Sequence, residues 1–313
     1  MKIAYVFPGQ ASQYAGMGKE FYQEYPEAAA IYQKADEALG FSLSRLCFEG
    51  PQEELNLTAN TQPAVLTTSA ACLAVLSNIG GLVPGAVAGH SLGEYTALVA
   101  AGSLVFEDAV RLVRKRGQYM QEAVPVGAGG MAAILGLSTE LVAEACLQAS
   151  AAGVVEAVNL NCPGQVVIAG DTAGLEAAGP LLKAAGARRV APLPVSAPFH
   201  SSLMIPAGKR LAADLEQVTV ADPQIPVVAN VSADLVCTGQ EVKDSLIKQV
   251  YSPVRWEECV LKMISLGVDT FIEVGPGKVL SGLIKKISRD VTILNVEDRA
   301  SLEKILALTR EVS

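Results

Sequence analysis

Short apolar runs alternate along the chain with longer segments of helical periodicity. The first run, residues 3–7, is wholly apolar and precedes Pro8-Gly9-Gln10, and residues 19–39 follow as a helix with a charged face. A strand, a turn and a helix recur near the C-terminus, where residues 271–274 form the apolar run. Continuous apolar runs of this length are typical of strands buried on both faces of a parallel sheet. The pattern therefore predicts an α/β fold with a parallel-sheet core.

Residues 55–93 contain no Asp, Glu, Lys or Arg, which raises the question of a membrane span. Proline and glycine interrupt the stretch, and its helical part, which Pro63 opens and which reaches Ile79, carries five Ser, Thr and Asn side chains. It is too short and too polar to cross a bilayer. We expect a helix buried within the α/β core, because a helix that protein surrounds on every side can be nearly uncharged all round.

An apolar run that ends at Gly89 is followed by Gly89-His90-Ser91-Leu92-Gly93 and then by a helical segment that stops at Gly102. A Gly-x-Ser-x-Gly motif between a strand and a helix is typical of a nucleophile elbow. The glycines permit the sharp turn, and the start of the helix offers unpaired N–H groups to a developing oxyanion. Ser91 is therefore the candidate nucleophile.

Residues 106–123 form a second helix whose periodicity isolates one charged side chain. At 100° per residue, Arg116 falls in the middle of the apolar stripe. A guanidinium cannot lose its proton, so its burial costs several kcal/mol unless an anion meets it. Three explanations stay open: an internal Asp or Glu partner, a side chain that extends to the surface, or a substrate carboxylate held by the guanidinium fork.

The pattern changes after Gly127-Ala128-Gly129-Gly130. The segments that follow read as strand, helix, strand, strand, helix and strand, which is the split βαβ or ferredoxin-like order. We predict a small domain at residues 126–196 inserted into a larger one formed by residues 1–125 and 197–313. The catalytic cleft is expected between the two domains.

The chain has only two histidines, His90 and His200. His90 precedes the candidate nucleophile within the elbow, where its side chain points away from the Ser91 hydroxyl. His200 is therefore the candidate general base, the alternative being an exposed loop histidine without a role. No acidic residue near His200 suggests itself as the group that orients the imidazole, which leaves a backbone carbonyl for that role.

Charge and cysteine content exclude several classes of function. The 24 basic and 32 acidic residues give a net charge of −8, which argues against nucleic acid or an anionic membrane as a partner. The six cysteines show no metal-type spacing, so we expect reduced thiols, no metal site and a cytoplasmic location. No signal peptide is visible at the N-terminus.

Motifs along essentially the whole chain resemble the malonyl-CoA:acyl carrier protein transacylase family. Six of them share the order in which they follow one another in that family: Pro8-Gly9-Gln10, Gly89-His90-Ser91-Leu92-Gly93-Glu94, Arg116-Gly117, Asn161-Cys162-Pro163-Gly164-Gln165, Phe199-His200-Ser201 and Glu273-Val274-Gly275-Pro276-Gly277. The resemblance implies a hydrolase-like large domain with a ferredoxin-like insert. It also implies transfer of a malonyl group from malonyl-CoA to the phosphopantetheine thiol of acyl carrier protein, with no metal or redox cofactor.

The resemblance assigns roles to individual residues. It implies that Ser91 is the nucleophile, His200 the general base and Arg116 the ligand of the malonyl carboxylate. These are the serine, histidine and arginine that the pattern of the chain singles out.

Three further roles come from the resemblance alone. It implies that the N–H groups of Gln10 and Leu92 form the oxyanion hole and that the main-chain carbonyl of Gln249 orients the histidine. The residue before that histidine is associated with the choice of acyl group in the family. Phe199 at this position resembles the malonyl type, since its ring would crowd a methyl branch.

Two other classes of function stay open on the sequence. A serine hydrolase or thioesterase has the same nucleophile and base but passes the acyl group to water. A non-catalytic acyl-binding or scaffolding subunit keeps the fold and forms no covalent adduct. Because the chain ends soon after its last predicted helix, we expect a free-standing enzyme of fatty-acid synthesis, with polyketide synthesis as the alternative.

Overall fold

The computed structural model describes residues 1–79, 82–195 and 197–312. The ten strands, numbered in chain order, are β1 (Ile3–Phe7), β2 (Ala86–Gly89), β3 (Gly129–Leu135), β4 (Val155–Cys162), β5 (Gln165–Asp171), β6 (Arg189–Pro192), β7 (Val227–Val228), β8 (Leu235–Val236), β9 (Thr270–Val274) and β10 (Thr292–Val296). They form two separate sheets.

Fourteen α-helices accompany these strands in the described part of the chain. In chain order they are α1 (Lys19–Glu24), α2 (Pro26–Leu39), α3 (Leu43–Glu49), α4 (Gln52–Leu55), α5 (Thr58–Ile79), α6 (Gly93–Ala100), α7 (Phe106–Glu122), α8 (Thr139–Ala149), α9 (Thr172–Ala184), α10 (Ile205–Glu216), α11 (Gly239–Gln249), α12 (Trp256–Ser265), α13 (Val279–Ile287) and α14 (Arg299–Val312).

The larger sheet has six strands in the order β10-β9-β1-β2-β7-β8. The first five run parallel, and β8 pairs antiparallel with β7 at the edge. β1 and β2 are buried along their whole length, as continuous apolar runs in a parallel sheet require. Phe7 pairs with Gly89, so the loops that leave β1 and β2 emerge side by side. This edge of the sheet carries the candidate site.

The smaller sheet has four antiparallel strands in the order β4-β5-β3-β6, with α8 and α9 as its helices. This is the ferredoxin-like arrangement, and the sheet has a hydrophobic core of its own that includes Ile134, Val142 and Leu182. The predicted fold class, an α/β fold with a parallel core and a small antiparallel domain, is confirmed. The domain limits at 126 and 196 stay a prediction, and Ser196 lies outside the described residues.

The small sheet is joined to the loop between α11 and α12 through main-chain hydrogen bonds. Val254 N donates to Val158 O at 2.8 Å, and Leu160 N donates to Val254 O at 2.9 Å. These bonds form a short parallel bridge between Asn159, within β4, and Val254. The bridge places the inner face of the small sheet over the edge where β1 and β2 end.

The long uncharged helix begins earlier than the sequence predicts. α5 starts at Thr58 rather than at Pro63, which lies inside it. Proline has no N–H and therefore leaves the carbonyl of Ala59 without its helical donor. Arg114 Nη1 donates to that carbonyl at 2.7 Å, so a side chain from α7 replaces the missing bond. Within the described residues, no helix is both long and apolar enough to cross a membrane.

Other element limits also differ from prediction. The helix predicted over residues 19–39 is two helices, because Pro26 begins a new one at its first turn. β6 is short and ends at Pro192, and β7 has only two residues. The hydrophobic pattern of the sequence does not reveal β10, because only the last residue of this strand, Val296, is fully buried.

Candidate active site

Ser91 occupies the turn between β2 and α6, where its φ of 52° lies in the left-handed region. A non-glycine residue rarely adopts this conformation, and it turns the side chain out at the tip of the elbow. Gly93 is required by packing, because a Cβ there would lie 2.0 Å from Phe7 O. Gly9 is required for the same reason, since its Cβ would lie 2.4 Å from His90 O. The elbow and the loop after β1 therefore touch backbone to backbone.

The side chain of Asn230 forms hydrogen bonds to the backbone of the elbow. Its Oδ1 accepts from Ser91 N at 2.7 Å, and its Nδ2 donates to Gly89 O at 2.8 Å. The side chain thus satisfies backbone groups on both sides of the turn, which stabilises the strained conformation of Ser91. Asn230 is fully buried.

His200 lies beside the serine, with its Nε2 at 2.7 Å from Ser91 Oγ. Its Nδ1 is 2.7 Å from the main-chain oxygen of Gln249, at the end of α11. A carbonyl oxygen only accepts, so the proton of the neutral imidazole is on Nδ1. Nε2 is then an acceptor, and the Ser91 hydroxyl donates to it. This tautomer leaves His200 ready to take the serine proton.

Both histidines are held in their neutral form by burial. The pKa of His200 is lowered from 6.5 to about 3, chiefly by desolvation and then by the positive charge of Arg116. Desolvation also lowers the pKa of His90, whose Nε2 lies 2.9 Å from Asn161 Oδ1 and whose ring packs near Trp256. His90 therefore faces the small sheet and not the Ser91 hydroxyl.

We expect the His200 ring to gain no proton as the pH is lowered from about 8 to about 5, because its folded-state pKa is about 3, and we expect the His90 ring to gain one only below the usual 6.5. Unfolded histidines do protonate in this range, so the folded state loses stability as the pH falls below 6.5. NMR titration of labelled imidazoles, which gives two resolvable sets of signals in this chain, measures the effect. A ring that titrates near 6.5 contradicts the expectation.

Arg116 projects from α7 into the site and is only 1% exposed. Its Nη1 donates to Gln62 Oε1 at 2.8 Å, and its Nη2 donates to Gln249 Oε1 at 3.0 Å and to Ser91 Oγ at 3.1 Å. Within the described residues no Asp or Glu forms an ion pair with it. The guanidinium does not extend to the surface, and neutral oxygens contact it. A buried cation so placed suits an anionic ligand.

A cavity of about 270 Å³ opens above Ser91, between the two sheets. The Pro8-Gly9-Gln10 loop and the elbow contribute Gln10 and Leu92 to its wall. The small sheet contributes an opposite wall of both apolar and amide side chains, and Phe199 and α13 complete the lining. The structure therefore brings Gln10, Leu92, Ser91, Arg116 and His200 to one cavity, and places Gln249 directly behind it.

Sequence reasoning missed the amide and carboxyl groups that support this cavity. Gln62 and Asn230 are both buried polar residues, and Asn230 follows a parallel strand at its carboxyl end, which was the available signal. Glu94 is 2% exposed, and its signal was an acidic residue in an otherwise uncharged stretch. Burial raises the pKa of Glu94 to about 7, while bonds from Asn230 and Gln249 and the charge of Arg116 oppose the rise.

Comparison with known proteins decides the family. A family model described as the acyl transferase domain matches residues 4–309. The malonyl CoA-acyl carrier protein transacylase of Bacillus subtilis is 51% identical over 311 residues, which cover 99% of this chain and 98% of that protein. The chain belongs to the malonyl-CoA:acyl carrier protein transacylase family.

Solved structures of transacylases share the whole fold. The acyl-carrier-protein S-malonyltransferase of Burkholderia pseudomallei is 52% identical with a TM-score of 0.96 and covers 98% of this chain and 100% of its own. A malonyl-transacylase solved in complex with its type II PKS acyl-carrier protein is 45% identical with the same TM-score, at 98% and 100% coverage. Both sheets of the present chain are therefore those of the transacylase fold.

Proposed function

We propose that the protein transfers a malonyl group from malonyl-CoA to the phosphopantetheine thiol of acyl carrier protein through a malonyl ester on Ser91. One observation carries the proposal: Ser91 Oγ lies within hydrogen-bond distance of both His200 Nε2, at 2.7 Å, and the buried Arg116 Nη2, at 3.1 Å. A nucleophile beside a base and a buried cation suits an acyl group that carries its own carboxylate. Family membership supports the same reaction.

The first half-reaction forms the acyl-enzyme. Ser91 Oγ attacks the thioester carbonyl carbon while its proton passes to His200 Nε2. The N–H groups of Gln10 and Leu92 stabilise the tetrahedral oxyanion, and the Gln249 carbonyl holds the imidazolium in place. The C–S bond then breaks, and the proton on His200 passes to the sulfur of coenzyme A.

The second half-reaction reverses these steps with a different thiol. The pantetheine thiol of the carrier protein gives its proton to His200, and its sulfur attacks the malonyl ester. The C–O bond to Ser91 breaks, and Oγ recovers the proton. Throughout, Arg116 binds the free carboxylate. The thioester supplies the activated acyl group and every proton is accounted for, so we propose that no metal or redox cofactor takes part.

A malonyl carboxylate bound to Arg116 also changes the pKa of the general base, His200. The charge of Arg116 lowers the pKa of His200 in the free enzyme. A carboxylate on the guanidinium offsets that charge and makes the imidazole more basic when it must accept the serine proton. An acyl group without a carboxylate lacks this effect, which favours malonyl over acetyl groups in the chemical step.

Mass spectrometry of the intact protein after brief mixing with malonyl-CoA tests the proposal against the two other classes of function. We expect one malonyl adduct, which disappears on addition of holo acyl carrier protein as malonyl carrier protein appears. A hydrolase would release malonate at the same rate with and without carrier protein. A scaffolding subunit would form no adduct at all.

The carrier protein is the macromolecular partner, and the transacylase solved with its type II PKS carrier protein shows how one relative meets its own. We propose fatty-acid synthesis as the pathway for this chain. The chain carries a net charge of −8, which would repel a carrier protein that is itself acidic. Docking of such a carrier therefore requires local basic residues on this chain. The exposed candidates are Arg188, Arg189, Lys285 and Lys286, the last of which donates to Gln165 in the cavity wall.

We propose that the enzyme acts in the cytoplasm. All six cysteines are free thiols, and five of them are buried. Burial raises the pKa of four of these thiols, Cys47, Cys72, Cys146 and Cys259, well above its usual range. Such thiols are structural rather than reactive and are typical of a reducing compartment.

A further inference from the structure

A carboxylate that the mechanism does not use lies beneath the nucleophile. Glu94, in the first turn of α6, is buried, and its Oε2 accepts two hydrogen bonds. One comes from the main-chain N of Asn230 at 2.8 Å and the other from the side-chain Nε2 of Gln249 at 2.9 Å. Both donors belong to residues that contact the catalytic groups, and the carboxylate itself contacts no reacting atom.

The Gln249 amide lies between groups that allow it only one direction. A carboxylate accepts and a guanidinium donates, so an amide that bridges them points its NH₂ at the carboxylate and its oxygen at the guanidinium. Accordingly Nε2 faces Glu94 and the Ser91 carbonyl, at 2.9 and 3.0 Å, and Oε1 accepts from Arg116 Nη2 at 3.0 Å. A reversed amide would set its NH₂ against the Arg116 guanidinium and its oxygen against the Glu94 carboxylate and the Ser91 carbonyl. The acceptor at Glu94, together with the Ser91 carbonyl, thus turns the Gln249 oxygen toward the guanidinium.

We propose that Glu94 is a positioning residue for acyl-group selection: its acceptor oxygen sets the direction of the Gln249 amide, which holds the Arg116 guanidinium where it meets the carboxylate of the acyl group. This inference rests on the proposed function. Glu94 acts through two other side chains and not on the substrate. The property that matters is an acceptor at the Oε2 point, which an amide oxygen at the same place also provides.

Two substitutions at this position separate the acceptor from the charge. Glu94→Gln can place its amide oxygen at the Oε2 point and keep both hydrogen bonds, so the preference for malonyl-CoA over acetyl-CoA is expected to stay within about threefold of wild type. Glu94→Leu has similar size and no acceptor, and the preference is expected to fall roughly 10- to 100-fold, the factor that corresponds to one hydrogen bond to a charged group. The readout is the ratio of kcat/KM values for formation of the acyl-enzyme.

The ratio of the two kcat/KM values reports only the effect of Glu94 that reaches the substrate through Gln249 and Arg116. Loss of the bond to Asn230 disturbs Ser91 and slows both substrates alike, so it cancels in the ratio. Loss of the fixed orientation of the Gln249 side-chain amide affects only malonyl-CoA, the substrate with a carboxylate. Retained preference in Glu94→Leu overturns the proposal. Equal loss in Glu94→Gln and Glu94→Leu also overturns it, because charge and not the acceptor would then be responsible.

A second variant keeps the test informative if Glu94→Leu does not fold. Gln249→Leu removes the amide but keeps the main-chain carbonyl that binds His200 Nδ1. The same 10- to 100-fold loss of malonyl preference is expected, and the double variant is expected to lose no more. A preference unchanged in Gln249→Leu overturns the proposal.

Asp171 provides a matched control, because its carboxylate also accepts two N–H groups, from Val154 at 2.8 Å and Gly174 at 2.7 Å, but lies outside the cavity. Asp171→Ala is expected to lower the melting temperature without changing the malonyl preference. Failure of wild type to form a malonyl adduct would instead contradict the proposed function, so the two failures are distinguishable.

Discussion

Replacement of Ser91 by alanine is expected to abolish the covalent malonyl adduct and to lower transfer to carrier protein by roughly 10⁶-fold, the scale on which serine enzymes lose activity without their nucleophile. Alanine keeps the backbone of the elbow, because the φ of 52° is no less favourable for it than for serine. The bond from the main-chain N of residue 91 to Asn230 also stays. Intact-protein mass spectrometry after mixing with malonyl-CoA measures the loss.

Ser103→Ala is the matched control, since Ser103 is a buried serine whose hydroxyl donates to Ala221 O outside the cavity. This variant is expected to form the adduct at the wild-type rate. Circular dichroism and the melting temperature show whether each variant is folded. An adduct that persists in folded Ser91→Ala would mean that another residue is the nucleophile.

Replacement of Arg116 by alanine is expected to slow acylation by malonyl-CoA about 10²- to 10³-fold and to speed acylation by acetyl-CoA. The guanidinium fork gives the malonyl carboxylate up to two charge-assisted hydrogen bonds, together worth roughly 3–4 kcal/mol. Its removal takes away that attraction and also the charge that lowers the pKa of His200. Acetyl-CoA, which has no carboxylate to lose, gains from the more basic histidine.

Arg116→Lys and Arg111→Ala are the informative companions. Lysine keeps a positive charge without the planar fork, so we expect a loss of malonyl acylation smaller than that of alanine. Arg111 lies on the exposed face of the same helix, where it contacts Asp108 and Ala38, and its removal is expected to leave both rates unchanged. Equal losses for malonyl-CoA and acetyl-CoA in Arg116→Ala would show that the arginine does not bind the acyl carboxylate.

The sequence by itself determined the features whose cause is local. The Gly-x-Ser-x-Gly spacing between an apolar run and a helix located the turn at Ser91, because backbone conformation there depends on adjacent residues. The 3.6-residue period of α7 placed Arg116 on its apolar face, and the structure finds it 1% exposed. Strand and helix order in residues 129–192 likewise indicated the antiparallel sheet, since periodicity is a property of each segment alone.

Only the tertiary structure decided which groups meet. Asn230 and Gln62 come from separate parts of the chain, and no spacing relates them to Ser91, while Glu94 lies three residues after it but bonds to the distant Asn230 and Gln249. The start of α5 depended in the same way on Arg114, which supplies the donor that Pro63 lacks. Periodicity shows which face a side chain occupies, whereas hydrogen-bond partners depend on how elements pack. The sequence therefore revealed the buried cation, and the fold decided that neutral amides, rather than an acidic partner, surround it.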